Sequence, residues 1–159
     1  MQFMRVGLIS DTHGFLHSEV LILFSNVDLI LHAGDIGGED IITGLETLAP
    51  VKAVAGNMDG FPLAGRYPEV LTLDIEGHTV YLVHKPPRSN SDFAKEKRPE
   101  IVIHGHTHHV RNEKRGGILY LNPGSAGNAR VAHNPTVMLV EINKNTDIRV
   151  EIIQIARLP

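Results

Sequence analysis

The sequence predicts an α/β protein in which two packed β-sheets carry helices on their outside, and three observations predict it. Residues 3–55 alternate between apolar, strand-like runs and amphipathic helical stretches, the rhythm of parallel strands joined by right-handed crossovers. From Val70 onward that rhythm gives way to short strands separated by turn residues, which adds a second sheet. Five of the strands, moreover, run straight into metal-type side chains, as Ile101-Val102-Ile103-His104-Gly105-His106-Thr107-His108-His109 does most clearly.

Composition limits what such a cluster can mean. The 159 residues are expected to form one domain, 1–159, long enough to bury most of the surface of the unfolded chain, and 42% apolar content suits a packed core. Net charge is −3 with both signs interspersed, which argues against bulk nucleic-acid binding. With no cysteine, imidazole, carboxylate and amide oxygen are the ligand set, one that suits manganese, iron, zinc or nickel. No run reaches about 18 apolar residues. The expectation is therefore a cytoplasmic chain with neither signal peptide nor membrane span.

Phe3 to Ser10 reads as a buried first strand ending at Asp11-Thr12-His13-Gly14. An Asp and a His two apart at a strand end can converge on one cation, but the same residues also read as a helix cap with His13 exposed. Ser18 is expected to cap a helix from Glu19 to Phe24, ahead of a second strand from Asp28 to Ala33 that ends at Gly34-Asp35. A helix from Glu39 to Leu48, closed by Pro50, leads to a third strand, Val51 to Ala55, and to Gly56-Asn57-Met58-Asp59-Gly60. Asp35 and Asn57 each pass for turn residues when taken alone. Parallel strands, however, deliver Asp11, Asp35 and Asn57 to the same edge of one sheet, where three turns share a crevice.

After the Pro-interrupted connection from Phe61 to Pro68, Val70 to Ile75 and Thr79 to Val83 form a hairpin around Glu76-Gly77-His78, and the second strand ends at His84. His78 reads as a solvated turn residue and His84 as a ligand. Lys85 to Arg98 is polar, with Lys and Arg in excess, and reads as a solvated loop with one short helix around Ser91 to Lys97; a basic rim for anionic substrate is the minor reading. Val110 to Arg115 and Ile118 to Leu121 form a hairpin leading to the turn Asn122-Pro123-Gly124-Ser125, and Thr136 to Ile142 with Ile148 to Ile155 a terminal one. His32 and His104, inside strands, read as buried neighbours of the ligands, and His17 and His133 as surface residues. His109 extends the cluster toward a substrate, although no spacing forces this.

The ordered set Asp11-x-His13, Gly34-Asp35, Gly56-Asn57-x-Asp59, His84 and Gly105-His106-x-His108 resembles the calcineurin-like metallophosphoesterase superfamily, in particular its small single-domain phosphodiesterases of bacteria and archaea. The resemblance implies a four-layer αββα sandwich, two mixed sheets flanked by helices, with a two-metal site at the strand ends. It implies that Asp11, His13 and His108 hold one ion, that Asn57, His84 and His106 hold the other, and that Asp35 bridges them. Two divalent transition ions, manganese foremost, then present a bridging hydroxide to a small phosphodiester, with Asp35 and Asn57 acting through it and no protein nucleophile. A carboxylate suits the bridge because its charge offsets two close cations, and neutral Asn57 keeps the site cationic.

Two departures stand out. Met58 occupies the position where many phosphomonoesterases of the superfamily carry a His that assists the leaving group, and Lys85-Pro86 replaces a common Gly-His, so the substrate rim is not transferable. Phosphomonoesterase activity and a non-catalytic binding scaffold, as in the retromer subunit that resembles this group, are the competing expectations. A complete set of seven competent ligands favours the enzyme. A homo-oligomer is allowed by the sequence and not required by it.

Overall fold

The computed structural model describes residues 3–89, 93, 98–127, 134–145 and 147–155. Its elements follow in the order β1 (Met4–Ile9), α1 (Ser18–Leu23), β2 (Leu29–His32), α2 (Glu39–Glu46), β3 (Val51–Ala53), α3 (Leu63–Arg66), β4 (Val70–Ile75), β5 (His78–Val83), β6 (Ile101–Ile103), β7 (Arg111–Arg115), β8 (Ile118–Asn122), β9 (Thr136–Ile142) and β10 (Arg149–Gln154). Two five-stranded sheets result, ordered β10-β9-β1-β2-β3 and β4-β5-β6-β8-β7.

Both sheets are mixed, as expected. β1, β2 and β3 pair in parallel while β9 runs antiparallel to β1, and β5, β6 and β8 pair in parallel between antiparallel edges. The strand-helix rhythm of the first half therefore sets all three early strand ends on one edge. Alternation decides which face each strand buries. Val6, Leu8 and Leu31 of the first sheet meet Val80, Leu82, Ile101 and Ile103 of the second in one apolar layer between the sheets. Ile9 and Ile30 face the other way, onto Val20 and Phe24 around α1 and Ile41, Ile42 and Leu45 of α2. On the far side, Phe93 packs with Val102, Ile118 and Tyr120 on the outer face of the second sheet. The architecture is thus an α/β sandwich, and the helix expected around Ser91 to Lys97 lies, apart from Phe93, outside the described residues.

Several local expectations are corrected. Ser18 opens α1 instead of capping it, and His17 holds the cap position with no side-chain bond. His17 is also buried, only 4% exposed, because its ring stacks edge-on against Phe15 at 4.6 Å, whereas a surface position was expected; His133 lies outside the described residues. His78 is the first residue of β5 rather than a turn residue, and it bonds Glu100 through Nδ1 at 2.7 Å. The Pro-interrupted connection contains a four-residue helix, α3, where no helix is expected from the sequence.

Candidate metal centre

The loops at the strand ends are laced to one another through the backbone. Asp11, His13 and Gly14 donate N–H bonds to the carbonyls of Gly34, Asp35 and Ile36, which fixes the turn after β1 on the turn after β2. Gly105 donates in the same way to His84, joining the turns after β5 and β6. Asp11 joins the two sheets, since its Oδ2 accepts from Ser10 Oγ at 2.6 Å and from the His106 N–H at 3.2 Å.

The close approach needs glycine at two points. A Cβ on Gly56 would strike the backbone nitrogen and Oδ1 of Asp35, and one on Gly105 would strike Ser10 Oγ and Asp11 Oδ2. Backbone conformation is unusual as well: Asp11, His13, Asp35, His106 and His108 all have positive φ, between 48° and 69°. Asp and His tolerate this region better than most residues, yet it still costs about 1 to 3 kcal/mol each where the surroundings impose it. Five of the seven candidate ligands thus share a strained conformation, which turns their side chains toward a common point.

Around that point the polar atoms converge. His108 Nε2 lies 3.1 Å from Asp11 Oδ1, and His13 Nε2 lies 3.9 Å from both Asp11 Oδ1 and Asp35 Oδ2. His84 Nε2 lies 3.3 Å from Asp35 Oδ2. Among the described residues two groupings could hold an ion, Asp11 with His13 and His108, and Asp11 with Asp35 and His84. Asn57 Oδ1 meets His106 Nδ1 at 3.0 Å, and the His106 ring stands edge-on to His84 at 5.2 Å, so these two residues complete the second side of the cluster.

Whether the residues fit cations is decided by their unused atoms. Nδ1 of His84 donates to the Ala33 carbonyl at 2.7 Å, which in the neutral ring leaves Nε2 with a lone pair that faces a carboxylate oxygen. Buried and without a hydrogen-bond partner, Nε2 of His84 and Oδ1 of Asp11 are both placed to accept. A buried acceptor left unmatched costs about 1 to 3 kcal/mol, and facing acceptors repel, so a cation resolves both defects. The donor set fits a transition ion.

Neighbouring residues hold this arrangement. Fully buried Asn122 donates to the Gly105 carbonyl and to Thr107 Oγ1 and accepts from the Gly124 N–H, so it shapes the loop carrying His106 and His108. Asp59 accepts from the N–H groups of Ile36, Gly37 and Gly56, clamping the second and third turns together. Its orientation is fixed by these three bonds, two on Oδ2 and one on Oδ1. His32 and His104 are buried as expected. His32 bonds Thr12 Oγ1 and the Gly34 N–H, and burial, against the opposing charge of Asp59, pushes its pKa down to about 3. His104 is lowered too, chiefly by burial. His109 is exposed, its N–H on Thr107 Oγ1. The role of Asn122 was missed because its sequence context reads simply as a turn.

Fold and site together define a sandwich that gathers carboxylate and imidazole groups at the ends of its strands. The model of the calcineurin-like phosphoesterase superfamily domain matches residues 4–145, and the chain belongs to that superfamily. It is 37% identical over 151 residues to a probable metallophosphoesterase of Methanothermobacter thermautotrophicus, covering 88% of this chain and 87% of the relative. It is 28% identical over 138 residues to a phosphodiesterase of Methanocaldococcus jannaschii, covering 76% and 83%. Among solved structures, Vps29 of Entamoeba histolytica in complex with zinc superposes with a TM-score of 0.70 at 23% identity, over 95% of this chain and 99% of that one. Membership supports a hydrolase of phosphoric esters. No helix among the described residues is long and apolar enough to cross a membrane.

Proposed function

We propose that this protein is a phosphodiesterase acting on small diesters with two divalent transition ions, the first held by Asp11, His13 and His108, the second by Asn57, His84 and His106, with Asp35 shared. The observation that carries the proposal is the buried, unmatched Nε2 of His84 opposite Asp35 Oδ2. When bound, the ions supply Lewis acidity that offsets phosphate charge and makes hydroxide available near neutral pH. The chain does the rest by orientation. Asp35 Oδ1 is occupied by the Met58 N–H at 2.9 Å, which turns Oδ2 inward. The Ala33 carbonyl holds the His84 ring in the tautomer that presents Nε2. Four imidazoles favour manganese or a similar ion over magnesium, which prefers oxygen shells; zinc, present in the Entamoeba relative, suits the same donors.

Met58 cannot donate a proton, so the leaving oxygen departs unprotonated, and diesters with good leaving groups are preferred over monoesters. A binding scaffold without metal, the second reading, leaves the unmatched acceptors and five positive-φ ligands without a purpose. The test joins metal analysis of the purified protein to turnover of bis(p-nitrophenyl) phosphate, before and after chelation and on adding back manganese. Bound metal with chelator-sensitive turnover is expected; a protein that holds metal and hydrolyses no diester would overturn the proposal.

A further inference from the structure

β10 is the outermost strand of the first sheet, bonded to β9 on one side and, among the described residues, to no strand on the other. The Ile155 N–H points at the Pro135 carbonyl, so by alternation the odd-numbered residues of β10 spend their N–H and C=O groups on β9. Those of Val150, Ile152 and Gln154 point away from it. The other sheet edges discourage a further strand. β3 has only three residues, and β7 is polar throughout. β4 carries acidic charge alone, Asp74 within it and Glu69 and Glu76 at its two ends, so two copies of it would repel. β10 has six residues and no such device. On its face toward the second sheet Val150 is only partly buried, and Ile152 is 46% exposed. On the opposite face Arg149 reaches Glu141 only at 4.0 Å, with 84% of its side chain exposed, and exposed Glu151 has no ion pair among the described residues.

We propose that β10 pairs antiparallel with β10 of a second copy of this chain, about a two-fold axis at Val150, so that the first sheets of the two copies become one continuous sheet. Residues 148–152 read Ile-Arg-Val-Glu-Ile, apolar at the ends and the centre and opposite in charge at the two positions between. A strand that meets its own copy antiparallel keeps each face on its own side only where residues of like parity are opposed, which leaves registers centred on Val150, Glu151 or Ile152. Centring on Glu151 sets two carboxylates against each other, and centring on Ile152 sets Glu151 against Ile153 and Val150 against Gln154. Centring on Val150 opposes Arg149 to Glu151 twice and Ile148 to Ile152 twice. In that register the outward N–H and C=O groups of Val150 match those of Val150 in the second copy. The charge row that already crosses the sheet, from Arg5 to Glu141 at 3.5 Å and on to Arg149, gains a further member in Glu151 of the second copy. A strand from another protein would use the same N–H groups, yet would not account for a sequence complementary to itself. The interface is small, so the pair should form with a Kd on the order of 10 µM.

Sedimentation velocity over concentrations that bracket this Kd tests the pairing, with Arg149→Glu and Glu151→Arg as variants. Both positions are exposed, so each variant should melt close to the wild type. Either variant alone opposes like charges on both sides of the axis, and its self-association should weaken by about tenfold or more. Mixed in equal amounts the two variants are complementary again, so dimer should reappear with about the wild-type Kd. Misfolding of either variant would not be repaired by the other, which separates a broken interface from a broken fold. A wild-type protein that stays monomeric throughout, self-association that both variants retain, or variants that fail to pair with each other would each overturn the proposal.

Discussion

Nε2 of His84 faces Oδ2 of Asp35 across 3.3 Å, and in the neutral ring, whose Nδ1–H donates to the Ala33 carbonyl, each of these atoms is an acceptor. Asp35→Asn replaces one acceptor with an amide that can donate, so the metal-free variant should unfold at or above the wild-type temperature. The other oxygen still accepts from the Met58 N–H, which keeps the turn in place. Turnover should fall by at least about a hundredfold, because loss of a shared ligand exceeds the 10- to 100-fold cost of losing a ligand's outer partner. Metal content and a diester assay measure this. Near-wild-type rates in a metal-replete variant would end the bridging role.

Chelation is expected to abolish turnover and to lower the melting temperature of the wild-type protein, since an ion at a hundred times its Kd stabilises by about 2.7 kcal/mol. Manganese should restore both, and magnesium should restore little, because the proposed ligand set draws nitrogen donors from His13, His84, His106 and His108. Full recovery with magnesium alone would contradict the ligand set.

Asn122→Ala would leave the buried Gly124 N–H unmatched and take one bond each from the Gly105 carbonyl and Thr107 Oγ1, which keep the N–H groups of Thr107 and His109. A loss of about 1 to 3 kcal/mol is expected in urea unfolding of metal-free protein. Metal affinity should also drop by about 10- to 100-fold, because the loop bearing His106 and His108 loses its support. A stability loss with unaltered metal affinity would make Asn122 merely structural.

His32 predicts the acid side of the stability profile. It is fully buried and its pKa is pushed down to about 3 from 6.5, mainly by burial, with Asp59 opposing and His84 and His13 assisting. Between these values the unfolded chain binds a proton that the folded chain refuses, so stability is full above about pH 6.5 and is lost as pH falls toward 3. The loss for metal-free protein at pH 4.5 is on the order of 3 kcal/mol. His32→Gln, which cannot titrate, should show a smaller drop in urea midpoint between pH 7.5 and 4.5. Equal drops in the two proteins would remove His32 as the cause.

The strand ends were legible because an apolar run followed by Gly-Asp, Gly-Asn or Gly-His is a local pattern, and the parallel rhythm placed Asp11, Asp35 and Asn57 on one edge without any knowledge of contacts. What was not legible depends on partners distant in sequence. Asp59 is clamped by N–H groups up to 23 residues away. His17 is a local exception, since the ring that meets it is Phe15, two residues earlier, brought edge-on by the turn. α3 is only four residues long and follows Pro62, too short for a helical period to show. The left-handed conformations of Asp11, His13 and Asp35 likewise arise from bonds between loops, which no propensity encodes.

Met58 carries the last prediction. Its side chain is 70% exposed beside Asn57, and without an acid there the barrier should follow leaving-group pKa steeply, so activated aryl diesters should outrun alkyl ones. Met58→His introduces an imidazole able to give a proton near pH 6. Asp59 is held by the N–H groups of Ile36, Gly37 and Gly56, so it does not swing out to steer the new ring. An oriented general acid is worth about 10² to 10⁴ in rate, and an unsteered one at an exposed position should give less, on the order of tenfold on alkyl diesters. The check is a leaving-group series at pH 6 for both proteins, read as the slope of log kcat/KM against leaving-group pKa. A shallower slope for Met58→His is expected; coincident slopes would mean that another group already protonates the leaving oxygen or that proton transfer does not limit the rate, and the account of Met58 would fail.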